Sequence, residues 1–152
     1  PSNSSAASDV YKRQDTGKPY RPHKIGSWKT SDFDAKERIE KRWDVTDSLD
    51  GPGTYRVRFV YTRGWNGLRM YRVALATERG GKLEQAAEDR HEGVAANKNL
   101  ANTYTLTLEA HDPKARYIVL ADIQGASSKT RPPSRQGCDG DVWMVKQRED
   151  GP

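Results

Sequence analysis

Residues 53–62 alternate. Tyr55, Val57, Phe59 and Tyr61 fall on one side, and Thr54, Arg56, Arg58 and Thr62 on the other. A period of two is the mark of a strand with one buried and one wet face. Residues 63–67 follow as a turn-forming cluster with two glycines around Trp65 and Asn66. Residues 68–77 resume as a strand in which Leu68 and Met70 share one parity and Tyr71, Val73 and Leu75 the other. That change of parity predicts a bulge near Met70 and Tyr71. The stretch 53–77 is therefore expected to be a long hairpin with a tryptophan at its tip.

Similar patterns recur on either side. Residues 24–28 form a short strand-like stretch ending on Trp28, and 38–45 alternate through Ile39, Lys41, Trp43 and Val45. Thr46 and Asp47 can cap a short helical turn ahead of the glycine-rich 51–53. Residues 83–90 read as a polar edge strand after a tight connection at Gly80-Gly81, and 91–102 as a long polar loop. Strands follow at 103–109, 115–124 and 141–146, with a Gly/Pro/Ser-rich loop at 125–140. Eight or so short strands, no convincing helix and long loops predict an all-β protein, an antiparallel β-sandwich of jelly-roll type. No internal repeat is visible. Trp28, Trp43 and Trp143 sit on strand-like patterns and are assigned to the core.

The chain of 152 residues, 34% hydrophobic and 31% charged, suits one sandwich-sized core. Residues 19–147 are assigned to that domain and 148–152 to a frayed tail. The small, polar start of the chain reads as a disordered or non-native leader over 1–18. Within it Ser8-Asp9-Val10-Tyr11-Lys12-Arg13-Gln14 resembles translated sequencing-adapter read-through. A natural N-terminus, and an upstream domain with it, are expected to be missing. No apolar run is long enough to cross a membrane as a helix, so no membrane partner is expected. The net charge of +5 is spread among acids, which disfavours nucleic acid as a partner. Six arginines nevertheless fall at Arg56, Arg58, Arg63, Arg69, Arg72 and Arg79. If pairing gathers several on one face, an anionic partner becomes plausible.

Several short motifs add a resemblance: Ile25-Gly26-Ser27-Trp28, Trp43-Asp44-Val45-Thr46, Gly51-Pro52-Gly53-Thr54-Tyr55, Asp89-Arg90-His91-Glu92-Gly93, Asn102-Thr103-Tyr104-Thr105-Leu106 and Asp139-Gly140-Asp141-Val142-Trp143. In this order they resemble the accessory β-sandwich domains of galactose-binding-like fold carried by bacterial polysaccharide-degrading enzymes. The resemblance implies a non-catalytic, carbohydrate-binding accessory module. It further implies a neighbouring catalytic domain in the same chain and a secreted, periplasmic or cell-surface setting. Two alternatives remain open: a purely structural interdomain module, and a basic surface for anionic glycan or nucleic acid.

Trp65 is the sharpest binding candidate, because the C–H face of a pyranose stacks on an indole. Arg63, Asn66 and Arg69 nearby could bond sugar hydroxyls. Glu92, Asp139 and Asp141 could gather hard oxygen ligands around a structural calcium, although no loop has calcium-ligand spacing. No other cofactor is expected. His23, His91 and His111 lie far apart and none has zinc-ligand spacing with the single Cys138. No activated nucleophile or phosphate loop appears, so no catalytic residue is assigned.

Overall fold

The computed structural model describes residues 21–33, 36–127 and 129–148. The expected leader and most of the expected tail lie outside these residues. Among these described residues nine strands follow in order: β1 (His23–Lys29), β2 (Arg38–Asp44), β3 (Gly53–Gly64), β4 (Leu68–Arg79), β5 (Lys82–Asp89), β6 (Gly93–Ala95), β7 (Thr103–Leu108), β8 (Arg116–Gly125) and β9 (Cys138–Lys146). They form two antiparallel sheets. One has the order β1-β9-β3-β7; the other runs β2-β8-β4-β5, with β6 also paired to β4. The sheets pack face to face as an all-β sandwich, as the alternation predicts.

The interior comes from the predicted parity. Tyr55, Val57 and Phe59 of β3 are buried, and across the gap Leu68, Met70, Val73 and Leu75 of β4 join Tyr117, Val119, Ala121 and Ile123 of β8. Phe59 sits among three aromatic neighbours, Trp28, Trp43 and Tyr104, with ring centroids 5.9, 6.2 and 6.1 Å away. These tilted and edge-on contacts are the favourable ones for aromatic pairs. The bulge expected near Met70 and Tyr71 is present, as the β4–β8 register shifts between Met70 and Arg72.

The expected hairpin over 53–77 is not formed. β3 pairs with β7 and β9, whereas β4 pairs with β5, β6 and β8 in the other sheet. Both strands carry a long apolar face, and each becomes dry only when flanked on both sides and covered by the opposite sheet. The link 65–67 therefore crosses from one sheet to the other. The arginines divide accordingly, with Arg56 and Arg58 on β3 and Arg69, Arg72 and Arg79 on β4. They do not share one sheet face.

The three tryptophans assigned to the core differ in their burial. Trp28 is 1% exposed, as expected. Trp43 is partly buried and packs on the core, and a Cβ at Gly26 would collide with its indole. Trp143 differs: Val142 and Met144 take the inward parity of β9, which turns Trp143 outward and leaves it half-buried. Its cross-strand neighbours are Lys24 and Arg58.

Buried tyrosine hydroxyls tie the loops down. Tyr55 donates to the Gly51 carbonyl at 2.6 Å, Tyr104 to the His91 carbonyl at 2.7 Å, and Tyr117 accepts from the Asp112 amide at 2.9 Å. Each ring fills the interior while its hydroxyl satisfies loop backbone that water no longer reaches. The turn at Thr46–Ser48 is fixed from outside. Asp44 Oδ1 accepts from the Thr46 amide and hydroxyl at 2.9 and 2.7 Å, so Asp44 rather than Thr46 does the capping. The polar segment after β5 hides the short strand β6, whose three residues are too few to show a period.

Phe59→Ala is expected to cost about 3–5 kcal/mol of stability, read from the urea midpoint, while Arg56→Ala on the wet face stays within about 0.5 kcal/mol. Acid should weaken the fold in a traceable way. The hydrogen bond from Arg116, then those from Thr46, hold the Asp44 carboxyl below its ordinary value of 3.8. That contribution is complete above the ordinary value and disappears as pH falls through the lower folded one. Wild type should therefore melt above Asp44→Asn at pH 7, and the gap between their melting temperatures should narrow as pH falls below 3.8.

Candidate functional site

One end of the sandwich opens into a cleft of about 880 Å³. It lies where β3 leaves its sheet and the segment before β9 returns. Phe33, Lys36, Arg63, Trp65, Gln136 and Asp139 are among its lining residues. Trp65 stands at its edge, 53% exposed. The indole is not among the side chains packed on the core, and Cys138, which lines the same cleft, is itself buried.

The backbone around Trp65 is held firmly. The amides of Trp65 and Asn66 both donate to the Gly137 carbonyl, at 2.9 and 3.0 Å. Arg131 Nη1 donates to the Trp65 carbonyl at 2.8 Å. Gly137 is in the left-handed region, and a Cβ there would strike the Thr30 side chain. At Gly64 a Cβ would meet the Cys138 backbone, so both glycines are needed for this close approach.

The electrostatics of the site come largely from the loop ahead of β9. The guanidinium carbons of Arg135 and Arg131 lie 5.3 and 5.9 Å from the Trp65 ring centroid, within cation–π range. Among the described residues neither arginine has a carboxylate partner. Arg63 Nε is paired with Asp139 Oδ2 at 3.0 Å, and both line the cleft.

Of the four residues proposed for sugar binding, Trp65 and Arg63 line the cleft. Asn66 adjoins it through its backbone, but its amide Nδ2 is buried with no hydrogen-bond partner among the described residues. Arg69 is not there: it is exposed on β4 opposite Gln124 and Val94. A hairpin tip would keep Arg69 beside Trp65; the crossing between sheets separates them. Sequence reasoning missed Arg131 and Arg135, which come from 66 and more residues away and carry no local pattern.

The three carboxylates proposed for calcium are otherwise engaged or apart. Asp139 pairs with Arg63, and Asp141 with Lys24 at 3.1 Å. Glu92 follows β5 beside His91. Among the described residues no group of three histidine, cysteine or carboxylate side chains is placed to hold a metal ion. His91 stacks on Tyr104 with centroids 4.0 Å apart and its Nδ1 lies 2.9 Å from Asp89 Oδ1. His111 stacks on Tyr117 at 5.3 Å. Neither lines the cleft.

No protein-family model matches this chain, and no curated protein is significantly similar to it. The site must be read from its own geometry.

Cys138 lies beneath the cleft, 3% exposed, and burial pushes its thiol up to about 11. A thiol that is both buried and protonated reacts slowly. The native protein should resist alkylation by iodoacetamide at pH 8 and react fully once unfolded in guanidinium, as followed by intact mass.

Proposed function

We propose that this domain is a non-catalytic module that binds carbohydrate at the cleft beside Trp65. The exposed indole carries the reading. A large flat apolar surface held in place by backbone hydrogen bonds, with the Arg131 and Arg135 guanidiniums beside it and the polar side chains of Arg63, Gln136 and Asp139 in the cleft, suits a pyranose, which presents an apolar C–H face and a rim of hydroxyls. Affinity at such an open site is on the order of 10 μM to 1 mM, since little area is buried.

We also infer that the sandwich is a jelly roll. The nested pairing supports this: β1 with β9, β2 with β8, β3 with β7 and β4 with β5. The setting that fits such a module is beside the catalytic domain of a bacterial polysaccharide-degrading enzyme, outside the cytoplasm. A structural calcium has no support from the placement of Glu92, Asp139 and Asp141.

Affinity electrophoresis through gels cast with soluble polysaccharides tests the reading. Trp65→Ala is expected to weaken retention by roughly tenfold, the effect of losing about 1.4 kcal/mol of stacking. Its melting temperature should stay near wild type, because the ring covers none of the core. Retention equal to wild type would remove Trp65 from the site. Absence of retention by every neutral and acidic polysaccharide would favour a structural interdomain module instead.

A further inference from the structure

The two outer faces of the sandwich treat their charges differently. On the β2-β8-β4-β5 sheet most arginines are neutralised by neighbours. Arg38 pairs with Asp122, Arg42 with Glu40, Arg72 with Glu88, and Arg116 with both Asp44 and Glu78. Beneath them Ala74, Ala76, Ile118 and Leu120 form a small buried cluster. That face is closed by its own ion pairs.

On the outer face of the β1-β9-β3-β7 sheet Lys24 is paired with Asp141, but the central arginines are not paired. A row of cross-strand partners runs over it from Lys24 through Trp143 and Arg58 to Thr103. The next row on this face places Val145 beside Arg56 and Arg56 beside Thr105. Adjacent rows are about 7 Å apart and adjacent strands about 4.8 Å. Arg56 and Arg58 are both exposed, and among the described residues neither has an ion pair or side-chain hydrogen bond. Two unpaired guanidiniums thus stand next to a half-buried indole, on the rigid centre of a sheet rather than on a loop.

We propose that this face is a second binding site, distinct from the Trp65 cleft, and that its ligand is an anionic polysaccharide. Charge complementarity sets the sign of the ligand. Guanidinium binds carboxylate or sulfate with two parallel hydrogen bonds, and Arg58 is positioned to do so for a sugar ring stacked on Trp143. Arg56 lies one row further on, within reach of the next acidic group along a chain. The remaining surroundings separate a glycan from a nucleic acid. Single-stranded nucleic acid is held on successive aromatic platforms, and this face has one indole. Beyond the arginines the face carries the hydroxyls of Thr103, Thr105 and Thr107, and on the other side of Trp143 the Asp141 carboxylate, which is ion-paired with Lys24 at 3.1 Å. Threonine hydroxyls bond sugar hydroxyls, whereas a continuous line of phosphates calls for a longer run of cations than these two arginines.

The test uses the whole chain and two acidic probes, polygalacturonate and chondroitin sulfate, with fully methyl-esterified polygalacturonan as the neutral control. Wild type should be retarded by at least one acidic probe and less by the neutral one. The retardation should weaken several-fold between 50 and 200 mM salt. Arg56→Gln/Arg58→Gln should lose it by tenfold or more with an unchanged melting temperature, since both side chains are in water. Trp65→Ala should keep it, which separates this site from the cleft. Lack of retardation by both acidic probes would overturn the proposal, as would equal retardation by the neutral control or an arginine variant that binds like wild type. Tighter binding to single-stranded oligo(dT) than to either acidic probe would instead assign the face to nucleic acid.

Discussion

Neither sheet of this protein can be dry without the other, and the remaining architecture follows from that mutual cover. The inward rows of β3, β4 and β8 are apolar over most of their length, and Phe59 meets aromatic rings from both sheets at once. Burial at about 25 cal/mol per Å² of apolar surface rewards a chain that alternates between the sheets, because each passage places another apolar row across from one already laid down. From β1 to β4 the chain changes sheet at every link, and among the described strands β4–β5 is the one pair joined by a two-residue turn, at Gly80 and Gly81 with positive φ. The links are thereby driven to the two ends, where they can carry side chains that the core does not need.

How much of this the sequence discloses depends on the range of the interaction. Side-chain parity is local, so the buried faces of β3, β7 and β8, the bulge at Tyr71 and the edge position of β5 could all be read from neighbouring residues. Pairing is not local. The turn chemistry at 63–67 suits a hairpin, and only the demand that both flanking strands be covered on both edges decides against it. Trp143 shows the same limit on a smaller scale. A run of Val142, Trp143, Met144 and Val145 contains two apolar parities, and the alignment with β3 selects the one that puts Trp143 outside. The indole of Trp65 was legible as a candidate, whereas the guanidiniums that flank it were not, since their proximity is a product of the fold.

Exposure of a tryptophan is informative here because the structure offers an alternative and does not take it. A residue on a loose link would be free to lie against the end of the core. Trp65 does not take that option: two amides are committed to Gly137 and its carbonyl to Arg131, and the Arg131 and Arg135 guanidiniums lie beside the ring. Holding these groups costs conformational entropy and places two glycines where no other residue fits. Such a rigid mount around an apolar surface left in water is poor value for stability alone, and this is the physical ground for reading it as a recognition element.

The charges support the same kind of reasoning. Exposed ion pairs contribute little to stability, so the dense pairing on the β2-β8-β4-β5 sheet is better understood through what it covers. Long arginine stems can shield Ala74, Ala76, Ile118 and Leu120 from water while their heads find carboxylates on neighbouring strands. Among the described residues the opposite face has no such cluster to shield, and stability makes no demand for arginine at positions 56 and 58. Threonine, which fills the neighbouring edge strand at 103, 105 and 107, would serve a wet strand position as well and has the higher strand propensity. Two cations kept side by side next to an indole, where repulsion between them slightly opposes folding, are therefore more economically explained by something outside the protein that carries the opposite charge.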